Sequence, residues 1–200
     1  MKDNELKSLK IYGSGNPIRL FVAGLHGDEW KETTDLLLNL KPPEKGTLAI
    51  IPLVYKGSYV STLDKNYYKT IGKKILDAIN TLNPNIYLEL HSYHNKNKEK
   101  LTSKNRINET GVFEFIELEN KVLFGSVAPF IRRNYFPVEA LCTSFEILKS
   151  NAKSKKQAEK LLEVFKYCES RKDFMQYLKN NYPNQAKQSI KNYKRFFRID

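Results

Sequence analysis

No run of apolar residues in this chain approaches the ~18 that a helix needs to cross a bilayer. The opening Met1-Lys-Asp-Asn-Glu-Leu-Lys7 carries charge but no apolar signal-peptide core. A membrane partner is therefore not expected. Cysteine is nearly missing as well. Cys142 and Cys168 cannot build a disulfide framework and read as reduced thiols, which points to a cytoplasmic protein. Acid is short in the last quarter only. Residues 151–200 hold 13 Lys/Arg against 5 Asp/Glu, whereas residues 1–150 hold 21 against 17, so most of the net charge of +12 lies at the C-terminal end. A solvated lysine-rich helical surface accounts for this without any partner. Binding to nucleic acid or an acidic protein, or attraction of an anionic small substrate, are the alternatives. Internal repeats and low-complexity tracts are absent from the sequence.

What is present is a series of short apolar runs, each followed by a turn or a helical period. Leu9-Lys-Ile-Tyr12 alternates and reads as an edge strand. Leu20 to Ala23 is short and continuous, as in a buried strand, and Gly24 and Gly27 break it. Trp30, Thr33, Thr34, Leu37, Leu38 and Leu40 then fit one face of a helix ended by Pro42-Pro43. Thr47 to Val54 is a second buried strand in which Pro52, lacking a ladder donor, marks the end. A helix is expected from about Tyr68 to Leu82, and a third strand at Ile86 to Leu90. Lys96 to Asn108 reads as an exposed Lys/Asn-rich loop and Val112 to Leu118 as a strand with one wet face. Ser126 to Arg133 reads as a helix, and Leu141 to Leu148 as the last strand. Helical periodicity follows from Ser154, and the tail Asn184–Asp200 is a helix or a docked extension. Strands alternating with helices predict an α/β fold, a three-layer αβα sandwich around a mixed, mostly parallel sheet. Residues 1–150 form its core, and residues 151–200 a basic helical extension packed on the same domain.

Histidine is scarce enough to be informative. The chain has three, His26, His91 and His94, and all directly follow predicted strands. In an open α/β sheet ligands bind beyond the carboxyl ends of the strands. His26, Glu29 and His91 form a two-histidine, one-carboxylate set, a donor type that suits a zinc ion with one position left for water. Such a site needs a base to relay the proton of that water. Glu146, near the end of the last strand and flanked by Phe145 and Ile147 on the opposite face, is the candidate. Plainer readings stand beside these. His26 and Glu29 can cap a helix N-terminus, His91 can be a satisfied strand-end histidine, and Glu146 can lie at the surface. Tyr67, Tyr68 and Tyr93 can be packing residues, and His94 an exposed or supporting one.

Three segments also carry a resemblance. Gly24-Leu-His-Gly-Asp-Glu29, Leu90-His-Ser-Tyr93 and Ser144-Phe-Glu-Ile147 resemble the motifs of the zinc carboxypeptidase superfamily, in family order across residues 9–150. The likeness is strongest to its succinylglutamate desuccinylase and aspartoacylase branch and to an archaeal-type offshoot. The resemblance implies one Zn²⁺ per chain on His26, Glu29 and His91, with Glu146 as general base. It further implies a hydrolase whose zinc-bound water attacks an amide or peptide bond next to a carboxylate, in a small-molecule or peptide substrate. Family members usually carry an Asp-Leu-Asn-Arg segment that holds the substrate. Here Thr62-Leu-Asp-Lys-Asn-Tyr67 stands in that place, with Asp64 at the Asn position and Lys65 at the Arg position. Lysine keeps the charge that would stabilise the reacting carbonyl but cannot make arginine's planar two-point contact to a carboxylate. Asp64, Lys65, Asn66 and Tyr93 are then the expected substrate-binding residues, with Arg132 or Arg133 as a carboxylate anchor. A family member that keeps the fold but serves as a non-catalytic binding module is the alternative, and a basic nucleic-acid-binding protein the more distant one.

Overall fold

The four apolar runs become the four central strands. A computed structural model describes residues 7–199. Residues 1–6, on which most of the signal-peptide reading falls, and Asp200 lie outside the described residues. Leu20–Ala23 belongs to β2 (Ile18–Ala23), and the second run to β3 (Gly46–Ile51), which stops just before Pro52. Ile86–Leu90 opens β4 (Ile86–Tyr93), and the last run is β7 (Leu141–Leu148). These four are parallel to one another. The edges are antiparallel: β1 (Lys10–Ser14) pairs with β3, while β6 (Leu123–Gly125) joins β7 to β5 (Ile116–Glu117). The sheet order is β1-β3-β2-β4-β7-β6-β5. Three of its six pairings are parallel, so the sheet is evenly mixed rather than mostly parallel. The difference comes from residues 112–125. They do not make the expected long strand. They fold back through a tight turn in which Leu118 N–H donates to the Val122 carbonyl at 2.8 Å, with Asn120 at φ 53°.

Helices cover both faces, because a parallel strand buried on both sides needs apolar cover on both. On one face α1 (Trp30–Leu38), α6 (Ala152–Tyr167) and α7 (Arg171–Asn181) pack Leu37, Leu161, Phe165 and Phe174 against Phe21, Leu88 and Phe145. The rings of Phe145, Phe165 and Phe174 are fully buried, with centroids 5.5 Å and 4.4 Å apart along the row. The basic C-terminal stretch therefore supplies core atoms as well as surface charge. Buried Arg19 on β2 also ties it down, donating from Nε to the Cys168 carbonyl at 3.0 Å. On the other face α2 (Lys73–Leu82) and α5 (Pro129–Asn134) cover Leu20, Val22 and Tyr87 with Ile75, Ile79 and Ile131.

Several boundaries differ from expectation. The second helix begins at Lys73 rather than Tyr68, because Tyr67–Lys69 forms a 3₁₀ turn that buries both tyrosines. The stretch 96–108 includes two short helices, α3 (Lys98–Thr102) and most of α4 (Arg106–Thr110), and buries Arg106, so it is no simple exposed loop. The helix expected from Ser126 starts at Pro129, whose ring fixes φ for the first turn. The tail forms α8 (Pro183–Phe197). Among the described residues no helix is long and apolar enough to cross a membrane. Chain order runs from β2 outward to β3, then back across β2 to β4. The strand order thus reverses at β2, and the crevice beyond the carboxyl ends of β2 and β4 is where such sheets bind ligands.

Candidate metal centre

The site follows from a period of two along β4 and a sharp turn after β2. Successive side chains on a strand point to opposite faces. Tyr87, Glu89, His91 and Tyr93 therefore share a face, while Leu88 and Leu90 lie in the apolar cluster on the other. His91 stands in register with Glu146 on β7. After Ala23 the chain turns at Gly24, with φ +56°, where a Cβ would fall 2.9 Å from Leu53 Cδ1 and 3.0 Å from Trp30 Cβ. Only glycine fits that backbone and that space. The turn carries His26 over the sheet end and starts α1 just after Glu29, so both side chains aim back at His91.

His26, Glu29 and His91 are 7%, 3% and 5% exposed. The Nδ1 atom of His91 lies 3.2 Å and 3.3 Å from the two Glu29 oxygens, and that of His26 3.6 Å from Glu29 Oε2. One candidate ligand atom from each residue lies within 4.8 Å of the others. Donors at ~2.1 Å around a tetrahedral ion stand roughly 3.4 Å apart, so this spacing can hold a metal. Three further observations fit a divalent cation. His26 Nδ1 is buried without a hydrogen-bond partner. Burial lowers its pKa to about 4, which keeps its lone pair free of a proton at neutral pH. Glu29, Glu89 and Glu146 bring three carboxylates to one spot. Their charge also acts on His91. Burial works to lower its pKa, but the Glu29 carboxylate and hydrogen bonds to Glu29 and Glu89 raise it well above the usual value.

The candidate ligands are themselves held in place. Ser92 N–H donates to Glu29 Oε1 at 3.3 Å. Glu89, 1% exposed, places Oε2 3.3 Å from His91 Nε2, which leaves Nδ1 to face the ion position. Its Oε1 accepts from the Tyr68 and Tyr87 hydroxyls at 2.8 Å and 2.7 Å. A carboxylate behind a ligating histidine fixes its tautomer and raises its basicity. Glu146 faces the cluster from β7. Its Oε2 is buried and unpaired, and burial followed by the charge of Glu29 pushes its pKa up to about 7, with His91 opposing.

A cavity of about 580 Å³ opens over this cluster, lined also by Arg106 and Lys149. Arg106 donates from Nη1 to the Phe113 carbonyl at 2.7 Å and lies over the Phe115 ring, with Glu146 among its charge partners. Lys149 pairs with Asp28, and its Nζ is 3.5 Å from His94 Nε2, which places His94 at the cavity wall and not in the ligand set.

The structure thus brings His26, Glu29, His91 and Glu146 together and sets the other expected residues elsewhere. Tyr93 lines the cavity but commits its hydroxyl to the Lys121 carbonyl at 2.8 Å. Asp64, Lys65 and Asn66 are exposed and do not line the cavity, although Ser61, Thr62 and Leu63 do. Asp64 Oδ1 takes the Asn66 N–H at 2.8 Å, an Asx turn that carries this segment past the site. Arg132 is no substrate anchor. It is 3% exposed, and its guanidinium binds four backbone carbonyls between Phe136 and Ala140 and lies over Phe197. Arg133 is exposed over Phe196. Sequence reasoning missed Arg106, Glu89 and Lys149. Arg106 is the one arginine of the lysine-rich 96–108 stretch, and Glu89 shares His91's strand face. Those were the available signals.

Fold and site together define an α/β protein with a buried, metal-competent His–Glu–His cluster at the switch point of a mixed sheet. The chain belongs to the DUF2119 family, described as an uncharacterized protein conserved in archaea, whose model matches residues 14–198. It is similar to the uncharacterized protein MJ0501 of Methanocaldococcus jannaschii, with 34% identity over 188 residues, 89% of this chain and 91% of that one.

Proposed function

We propose that this protein is a zinc-dependent hydrolase of an amide or peptide bond next to a carboxylate. The observation that carries the reading is Glu146, whose buried Oε2 has no hydrogen-bond partner, in register with His91 of a metal-competent cluster of two histidines and one acid. The resemblance to zinc carboxypeptidases in the order and content of the motifs supports it. Bound at His26, Glu29 and His91, zinc would polarise the substrate carbonyl and acidify the attacking water. Glu146 takes a proton from that water and hands it to the leaving nitrogen as the C–N bond breaks, so water is divided between the acid and amine products. A carboxyl with pKa about 7 both accepts and returns a proton near neutrality. Arg106, on the cavity wall, holds the substrate carboxylate in the place first assigned to Arg132 and Arg133. Glu89 keeps His91 in its ligating tautomer.

The test is metal analysis of protein purified without chelator, then turnover of N-acyl amino acids and dipeptides. Glu146→Gln is expected to keep the metal and lose ~10²–10⁴-fold in rate. A fully zinc-loaded wild-type protein that turns over no member of the panel contradicts the proposal. The exposed position of Asp64, Lys65 and Asn66 favours a second reading, a metal-holding binding module, which that result would support.

A further inference from the structure

A second cavity, about 590 Å³, lies under the C-terminal helix and is unused by the chemistry above. Its walls are of another kind. Phe124 and Leu141 come from the sheet, and Ile190, Tyr193, Phe196 and Phe197 from α8. That helix is thinly packed. Its only buried residues are Ala186 and Asn192, and its apolar side chains are left half-exposed. It is fastened by cation–ring pairs, Arg132 over Phe197, Arg133 over Phe196 and Arg171 over Tyr193, and by hydrogen bonds at its polar edge, where Gln188 and Asn192 donate to Glu114 and the Tyr193 hydroxyl donates to the Val138 carbonyl. An apolar helix face turned to unfilled space forfeits contacts that a chain of methylenes would restore. The two cavities adjoin, since Val112 and Ser126 line both. At the far side Lys172, Lys179 and Lys194 line the second cavity and are exposed, which places its mouth there.

We propose that the cavity beneath α8 receives an extended apolar chain of the substrate, so that the bond cut in the metal chamber belongs to an amide bearing a long acyl or alkyl group. This rests on the hydrolase reading for the reaction, and on the shared wall at Val112 and Ser126 for the chain. The reacting carbonyl sits over the metal cluster, the chain passes Val112 and Ser126, and its end lies along the aromatic side of α8. A cavity of this size takes a chain of a dozen or more carbons, and each buried methylene adds a factor of about four in affinity.

The experiment has two arms on the full-length, zinc-loaded protein. In the first, N-acyl-glycines from acetyl to lauroyl are hydrolysed, and kcat/KM is expected to rise by about 100-fold or more along the series. In the second, 11-(dansylamino)undecanoic acid is titrated by fluorescence and displaced with laurate. Ile190→Trp, at a half-exposed helix position on the cavity wall, fills the space. It should abolish the chain-length gain and the probe binding while leaving acetyl-glycine turnover unchanged; Met175→Trp repeats the test from α7. Probe binding blocked by the tryptophans, with no hydrolysis of any amide, would uphold the chain cavity and reject the hydrolase. Hydrolysis without chain-length dependence would overturn the inference and leave the hydrolase standing. Failure of probe binding in the wild-type protein would overturn it as well.

Discussion

On one side of the β4–β7 pair, Leu88, Leu90, Phe145 and Ile147 pack into a dry apolar cluster; on the other, one residue away along each strand, stand Glu89, His91, Ser144 and Glu146. Those four side chains carry no polar atom, and on their face of β4 the nearest polar group is Ser92, at the end of the strand. The second holds two of the buried polar atoms without a partner, Ser144 Oγ and Glu146 Oε2, and a carboxylate that only phenols and an imidazole contact. Burying such groups is unfavourable unless they are paired. The apolar side offsets that cost, so a single pair of strands can be both the stable centre of the sheet and the floor of a site.

The contrast can be broken from either side. Phe145→Ala should cost ~3–5 kcal/mol in urea denaturation, because it empties a packed ring position, while zinc affinity in the surviving folded protein changes little. A loss of metal affinity with intact stability would mean that the two sides are not separable. Glu89→Gln should weaken zinc binding by ~10–100-fold, read by competition with a chromogenic chelator, and Glu89→Asp should recover part of it. Equal affinity in all three proteins would reduce Glu89 to a packing residue.

Glu146→Gln sharpens the comparison through pH. The folded carboxyl titrates near pH 7, above its value in the unfolded chain, so the native state holds its proton longer. The stability from this group is fully present below the ordinary carboxylate range and is lost as pH rises through about 7. In chelator-stripped protein, Glu146→Gln should therefore be more stable than wild type by about 1–3 kcal/mol at pH 8 and equal to it near pH 4. Thermal unfolding at the two pH values reads this, and a mutant that is less stable at pH 8 would contradict it. The smallest effect is expected at Lys65→Ala. The side chain is exposed and off the cavity wall, so stability should stay within ~0.5 kcal/mol and zinc affinity and turnover unchanged.

Much of this was legible in the residues because period and burial write it there. A continuous apolar run as short as Leu20–Ala23, bounded by glycine, suits a strand covered on both faces, and glycines at 24 and 27 mark the turn that lifts His26 over the sheet end. The convergence of His26 and His91 was readable because histidine is rare and both follow strands. Other features depend on contacts between segments distant in sequence. Arg132 reads as a carboxylate anchor in sequence because nothing local shows that the carbonyls of residues 136–140 curl around it. Arg106 sat among lysines, and its burial depends on Phe113 and Phe115 folding back onto α4. Residues 112–118 read as one strand because nothing local shows that the Phe113 carbonyl would accept from Arg106 and the Phe115 N–H would donate to the Leu101 carbonyl, which leaves only Ile116–Glu117 for β5. Lys65 was assigned by analogy of position, and the Asx turn at Asp64 displaced it.

Whether His26, Glu29 and His91 take up an ion decides the proposed function. Isothermal titration of chelator-stripped protein with Zn²⁺, alongside His26→Ala and His91→Ala, measures this directly. One equivalent bound tightly by the wild type and not by either variant is the predicted result; no binding by the wild type, or undiminished binding by both variants, would contradict it.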